Sequence, residues 1–196
     1  MIFQRFSDLA VILLMITTMT ILTNGNWRRN LFAFALQYFA MFWLVAIALP
    51  LGLAAVKLIV GWMVIAVIGA SQSEDAFEDD GLSSRSGLVF RILAAAMVGL
   101  VVYSIVPAVN ERFPTYPQVI LGSLVLVAMG ILQMGVTNKP LRVIVGLMTV
   151  LSGFEVIYAS VEPSILVAGL LAVINIGLAM TGVYGLLNPV PPEQTS

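Results

Sequence analysis

The chain has 196 residues, 60% of them hydrophobic and only 10% charged, with a mean hydropathy of +1.05. A soluble domain carries roughly 25% charged residues, so this chain cannot cover a globular surface with polar groups and reads as an all-α integral membrane protein. A net charge of −1 argues against a nucleic-acid partner, which needs a basic patch. The absence of cysteine and histidine removes disulfides, thiolate catalysis, iron–sulfur and His-ligated haem centres, and the usual zinc sites.

A helix crosses a bilayer with about 20 apolar residues, and by that measure the sequence predicts about seven spans. The first covers residues 9–23 and ends at Asn24-Gly25-Asn26. One early cation, Arg5, precedes it and no small-residue cleavage site follows, so it is read as a retained helix rather than a signal peptide. The next apolar run, 31–70, is about twice the crossing length, and Pro50-Leu51-Gly52 near its centre offers a turn that splits it into 31–49 and 53–70. A polar segment with Glu74, Asp75, Glu78, Asp79 and Asp80 follows. It is read as a solvated loop, with partner docking as the alternative. Four further spans are placed at 87–109, 119–136, 143–161 and 164–187, before a polar, proline-rich tail at 188–196. The chain thus divides into a three-helix segment (1–71), an acidic loop (72–86), a fourth helix with its outer loop (87–118), a second three-helix segment (119–187) and the tail.

The cations set the orientation. Arg28, Arg29, Arg85, Arg91, Lys139 and Arg142 fall on one side of the spans, Arg5 and Arg112 on the other. The positive-inside rule then places the N-terminus outside and the C-terminus in the cytoplasm. Arg91 lies close to the cytoplasmic end of its span and is expected to snorkel. Small residues let helices approach in lipid: Gly177, Thr181 and Gly185 on the seventh span and Ala95 and Gly99 on the fourth predict tight contacts, within this chain or with another.

Lys57 and Glu155 are charged residues inside apolar spans, where a charge is expensive and marks a candidate functional site. Glu155 lies beyond the midpoint of the sixth span, about 9 Å from its outer end at 1.5 Å per residue. Its side chain is too short to snorkel easily, so it is either a proton-relay carboxyl or a structural one. Lys57, near the outer end of the third span, either snorkels or pairs with an acid. Their depths permit pairing. Gln37, Gln133 and Asn175 read first as hydrogen-bonding helix joiners, and Asn175 is placed to support Glu155. The sequence contains no phosphate loop, no nucleophile–base pair and no metal-ligand cluster, so no catalytic, cofactor-binding or metal-binding residue is expected.

The last three spans resemble subunit K of NADH-quinone oxidoreductase and its counterpart among the small subunits of the multisubunit cation/proton antiporters. The basic loop Thr137-Asn138-Lys139-Pro140-Leu141-Arg142, the motif Gly153-Phe154-Glu155 and the run Ile176-Gly177-Leu178-Ala179 carry this resemblance. Arg28-Arg29-Asn30-Leu31-Phe32-Ala33-Phe34-Ala35-Leu36-Gln37 and Ala55-Val56-Lys57-Leu58 extend it to the seven-span component E of hydrogenase-4. Alignment on Gly177 puts Val173 where that family carries a second glutamate on the last span. The resemblance implies a non-catalytic, multi-pass subunit of a complex-I-like assembly in the cytoplasmic membrane. It would contact other membrane subunits and help move protons or sodium ions, with Glu155, Lys57 and Asn175 in the path. The alternative is a scaffold subunit without an ion path of its own.

Overall fold

A computed structural model describes residues 6–71, 85–113, 115–137, 139–162 and 164–187. Arg5, the acidic residues Glu74 to Asp80 and the tail 188–196 lie outside them. The described residues form seven helices: α1 Ser7–Thr23, α2 Trp27–Ala48, α3 Leu51–Ala70, α4 Arg85–Arg112, α5 Pro117–Gly135, α6 Pro140–Val161 and α7 Ile165–Leu187. Six of these, α2 to α7, are long and apolar enough to cross a membrane, which makes the chain a multi-pass membrane protein. The helix α1, with 17 residues, is shorter.

Local chemistry explains the boundaries. Pro50 cannot continue α2, and the residue before a proline is driven to extended backbone; Leu49 is extended, and α3 begins directly after Pro50. Proline suits a first helical turn, where its missing N–H has no partner to lose, and Pro117 and Pro140 open α5 and α6. The α4 helix runs for 28 residues, about 42 Å, beyond both ends of the expected 87–109 span. In α1, Thr17, Thr18, Thr20 and Thr23 turn their hydroxyls back onto carbonyls three or four residues earlier. This removes free donors from a helix surrounded by apolar neighbours.

The helices pack as two facing layers, α1–α2–α3 and α5–α6–α7. Each helix lies against its counterpart: α1 on α5, α2 on α6, α3 on α7. Partners run in the same direction. Asp8 meets Gln118 where α1 and α5 begin, and Gln37 meets Thr149 midway along α2 and α6. The α4 helix returns the chain across the bilayer and packs on α1 and α5, leaving most of its surface to lipid.

The closest approach is between α5 and α6. A Cβ on Gly153 would stand 2.6 Å from the Ser123 carbonyl oxygen, and one on Gly130 would stand 2.7 Å from that of Gly146. The two contacts are one heptad apart on each helix in antiparallel register. Without a hydrophobic driving force between helices in lipid, such backbone proximity is a main source of association. The stripe Gly177, Thr181 and Gly185 does not serve this purpose within the chain. Nothing lies within 4 Å of the Cβ position of Gly177 or Gly185, and Thr181 is exposed. Gly182 supplies the close contact on α7, against Ile144. On α4, Ala95 is buried, whereas Gly99 meets open space.

Arg91 does not snorkel. It is 7% exposed and donates to the Leu22 and Val136 carbonyls. Arg142 donates to the Asn24 carbonyl at 2.6 Å. These oxygens belong to the C-terminal turns of α1 and α5, where a helix leaves acceptors unsatisfied and carries partial negative charge. Two arginines therefore seal two helix ends.

Substituting Gly153 or Gly130 by valine should lower the melting temperature in mild detergent by at least about 5 °C, because the new atoms meet backbone that cannot yield. Gly177→Val should leave it within about 1 °C. Equal effects at the three positions would contradict the packing described.

Candidate functional site

The site is built on α6. Successive helical residues turn by about 100°, so Gly153 and Glu155 point to nearly opposite sides. The tight seat of Gly153 against α5 therefore fixes the rotation of α6 and aims Glu155 at α3 and α7. Lys57 arrives from α3 at a matching depth, six residues from that helix's start, just as Glu155 lies six residues from the end of α6. Asn175 arrives from α7.

The three residues meet. Lys57 Nζ lies 3.2 Å from Glu155 Oε2, and Asn175 Nδ2 donates to Glu155 Oε1 at 2.5 Å while also reaching the Leu171 carbonyl. Lys57 is 8% and Glu155 2% exposed, so this is a buried ion pair rather than a snorkelling lysine beside an isolated acid. At an effective dielectric of about 20, unit charges at this distance attract by roughly 5 kcal/mol. Desolvation costs several kcal/mol per ion. The pair is near break-even as a unit, and either charge alone is strongly disfavoured.

A cavity of about 160 Å³ reaches the pair through the seam between α3 and α7, lined by Val56, Val60, Ala168 and Ala172 among others. A water needs roughly 10–15 Å³ of such space together with polar partners, so the cavity has room for several. The small residues Ala168, Gly169 and Ala172 keep this seam open.

Away from the cavity, polar groups continue along the α2–α6 contact. Arg142, Thr149, Ser152 and Glu155 share one buried stripe of α6 at offsets of 7, 3 and 3, close to the helical repeat. Gln37 Nε2 donates to Thr149 Oγ1 at 3.2 Å, and Thr149 donates to the Val145 carbonyl. Tyr38 interacts with Ser152 and feels the charge of Glu155, although neither hydroxyl attains the geometry of a full hydrogen bond. At the basic end, Gln133 donates to the Arg142 carbonyl and Asn30 to that of Asn24.

The sequence singles out Lys57, Glu155 and Asn175, and the structure brings all three together. It also singles out Gln37 and Gln133, and both join helices. Tyr38, Thr149 and Ser152 do not stand out in it. The spacing of Arg142, Thr149, Ser152 and Glu155 is the signal that exposes two of them. No group of three or more metal-ligating side chains occurs among the described residues.

In a double-mutant cycle, Glu155→Gln and Lys57→Met should each destabilise the detergent-solubilised protein, by about 3 kcal/mol for the variant that leaves a bare buried charge. The double variant should recover about 1–3 kcal/mol of the summed loss. Additivity within about 0.5 kcal/mol would rule out a direct pair.

Compared with protein-family models, curated proteins and solved structures, the chain finds no match.

Proposed function

We propose that this protein is a non-catalytic membrane subunit of a complex-I-related assembly, of membrane-bound hydrogenase or antiporter type, and that it contributes to proton or sodium translocation. The observation that carries the reading is a carboxylate at membrane depth, paired with a lysine and an asparagine at the floor of a cavity. Intramembrane ionisable residues mark ion paths by default. A carboxyl that exchanges a proton with the cavity while a neighbouring lysine compensates its charge is a minimal relay. Glu155 is the titrating group, Lys57 its counter-charge and Asn175 the donor that orients it. Redox chemistry belongs to partner subunits, to which the chain couples through its lipid-facing helices. The resemblance of residues 119–187 to subunit K supports this assignment.

All seven helices cross the membrane in this reading, with α1 spanning at the short end of the usual range of about 17–25 residues. The N-terminus lies outside and the C-terminus in the cytoplasm of a cell's inner membrane. Arg28, Arg29, Arg85, Lys139 and the two carbonyl-binding arginines gather at one end of the bundle, whereas Asp8, Glu111 and Glu162 gather at the other.

A scaffold without an ion path is the second reading. The completeness of the ion pair favours it, because a neutralised Lys57–Glu155 pair also serves to lock α3 to α6. In the intact assembly, Glu155→Gln should abolish ion movement, by at least about tenfold, while leaving assembly in place. Unchanged movement would leave only the scaffold. The chain has no cysteine, so single substitutions report orientation directly: Arg29→Cys should react with an impermeant maleimide from the cytoplasmic side and Glu162→Cys from the outer side. The reverse pattern would invert the topology.

A further inference from the structure

The outer cavity accounts for only one side of Glu155. We infer that the α2–α6 contact forms the other side: a proton branch running from Glu155 through Ser152 with Tyr38 and Thr149 with Gln37, closed toward the basic end by an apolar gate at Phe34 and Val145. This rests on the relay reading of Glu155 and specifies the route by which that carboxyl communicates with the opposite face.

Three observations support the branch. The first is spacing. Glu155, Ser152 and Thr149 follow one another at three-residue steps on one face of α6, a rise of about 4.5 Å each, which one hydroxyl or one water spans. The second is unmet hydrogen-bonding capacity. Asn175 Oδ1, Ser152 Oγ, the Tyr38 hydroxyl, Gln37 Oε1 and Asn30 Oδ1 are all buried and lack a full hydrogen bond from protein. Buried polar atoms are normally satisfied, and water satisfies those that protein does not. That five such atoms lie along a single path distinguishes this interface from the α5–α6 contact, which is closed by glycine and backbone. The third is the interruption. From Thr149 to Arg142, and from Gln37 to Asn30, each helix advances seven residues, or about 10 Å. Phe34 and Val145 occupy this stretch, both in the main apolar cluster, and Phe34 packs edge-on against Tyr38 at 5.0 Å.

Transfer along the branch changes only O–H bonds. The Glu155 carboxyl O–H breaks as the Ser152 oxygen or a bridging water takes the proton. Each oxygen that gains a proton releases its own to the next, so Glu155 is left as the carboxylate facing Lys57. The Thr149 hydroxyl already directs its hydrogen at the Val145 carbonyl, toward the basic end. Its exit past Phe34 requires that ring to move or water to enter.

The test uses vesicles of native membrane holding the full chain with its partners, a trapped pH-sensitive dye, and variants checked for expression and melting temperature. Thr149→Val preserves shape and removes the hydroxyl. It should reduce Glu155-dependent proton flux at least about tenfold, while Thr149→Ser should keep it within about twofold. Ser152→Ala combined with Tyr38→Phe should match Thr149→Val. Val145→Thr, which inserts a hydroxyl into the gate, should raise passive proton leak severalfold; Phe34→Leu should do the same, so the gate is tested even if one of these variants folds poorly. If Glu155→Gln abolishes flux and Thr149→Val and Ser152→Ala/Tyr38→Phe do not, the branch is wrong and the relay stands. Leak unchanged in both gate variants overturns the gate. Flux insensitive to Glu155→Gln overturns both the branch and the relay reading.

Discussion

A bilayer offers no partner to a polar group, and this requirement organises the fold. Every N–H, carbonyl and charge at depth must be answered from within the chain. The threonines of α1 answer themselves by bonding back along their own helix. The last carbonyls of α1 and α5 are met by Arg91 and Arg142. Lys57 and Glu155 meet each other, with Asn175 completing the carboxylate. Because each solution joins different helices, satisfying the polar groups also decides which helices stand together. Apolar burial fills the remaining space but does not choose between neighbours, since lipid solvates leucine as well as protein does.

The same logic separates what is legible in the sequence from what is not. The number and order of helices follow from apolar length and from punctuation at Pro50, Pro117 and Pro140, features local to the chain. Lys57 and Glu155 stand out because a charge in an apolar run is anomalous wherever it sits. Their pairing is open at that level, because two depths constrain distance along the membrane normal and say nothing about rotation. That rotation is set by Gly153 and Gly130 against α5, a contact between two backbones that leaves no mark except glycines in heptad register. Arg91 misleads because nearness to a helix end suggests solvent, whereas two neighbouring helices end at the same level and present carbonyls to it. The stripe on α7 misleads in part because small residues report the capacity for close approach and not the presence of a neighbour; the tight contact falls at Gly182 instead.

The site resembles no single motif because its parts come from separate places: the charge pair from α3 and α6, the amide from α7, the hydroxyls from α2 and α6. Only the layered arrangement, with each helix of one half set against its counterpart in the other, puts them on one line. The absence of a second carboxylate on α7 then has a structural counterpart: Asn175 occupies that side of Glu155 as a neutral donor, so the site carries one negative charge balanced by one positive charge.

The glycine seat between α5 and α6 also divides the molecule mechanically. Two backbones in contact at positions a heptad apart leave no slack for sliding or rotation, so α5 and α6 behave as one stiff plate. On the far side of Glu155, α7 has open space around Gly169, Gly177 and Gly185 and borders the cavity along α3. Work done by a changing charge at Glu155 is therefore taken up by α7 and the α3 seam, while the plate behind it stays still. A signal passing from this carboxylate to a neighbouring protein leaves through the compliant face.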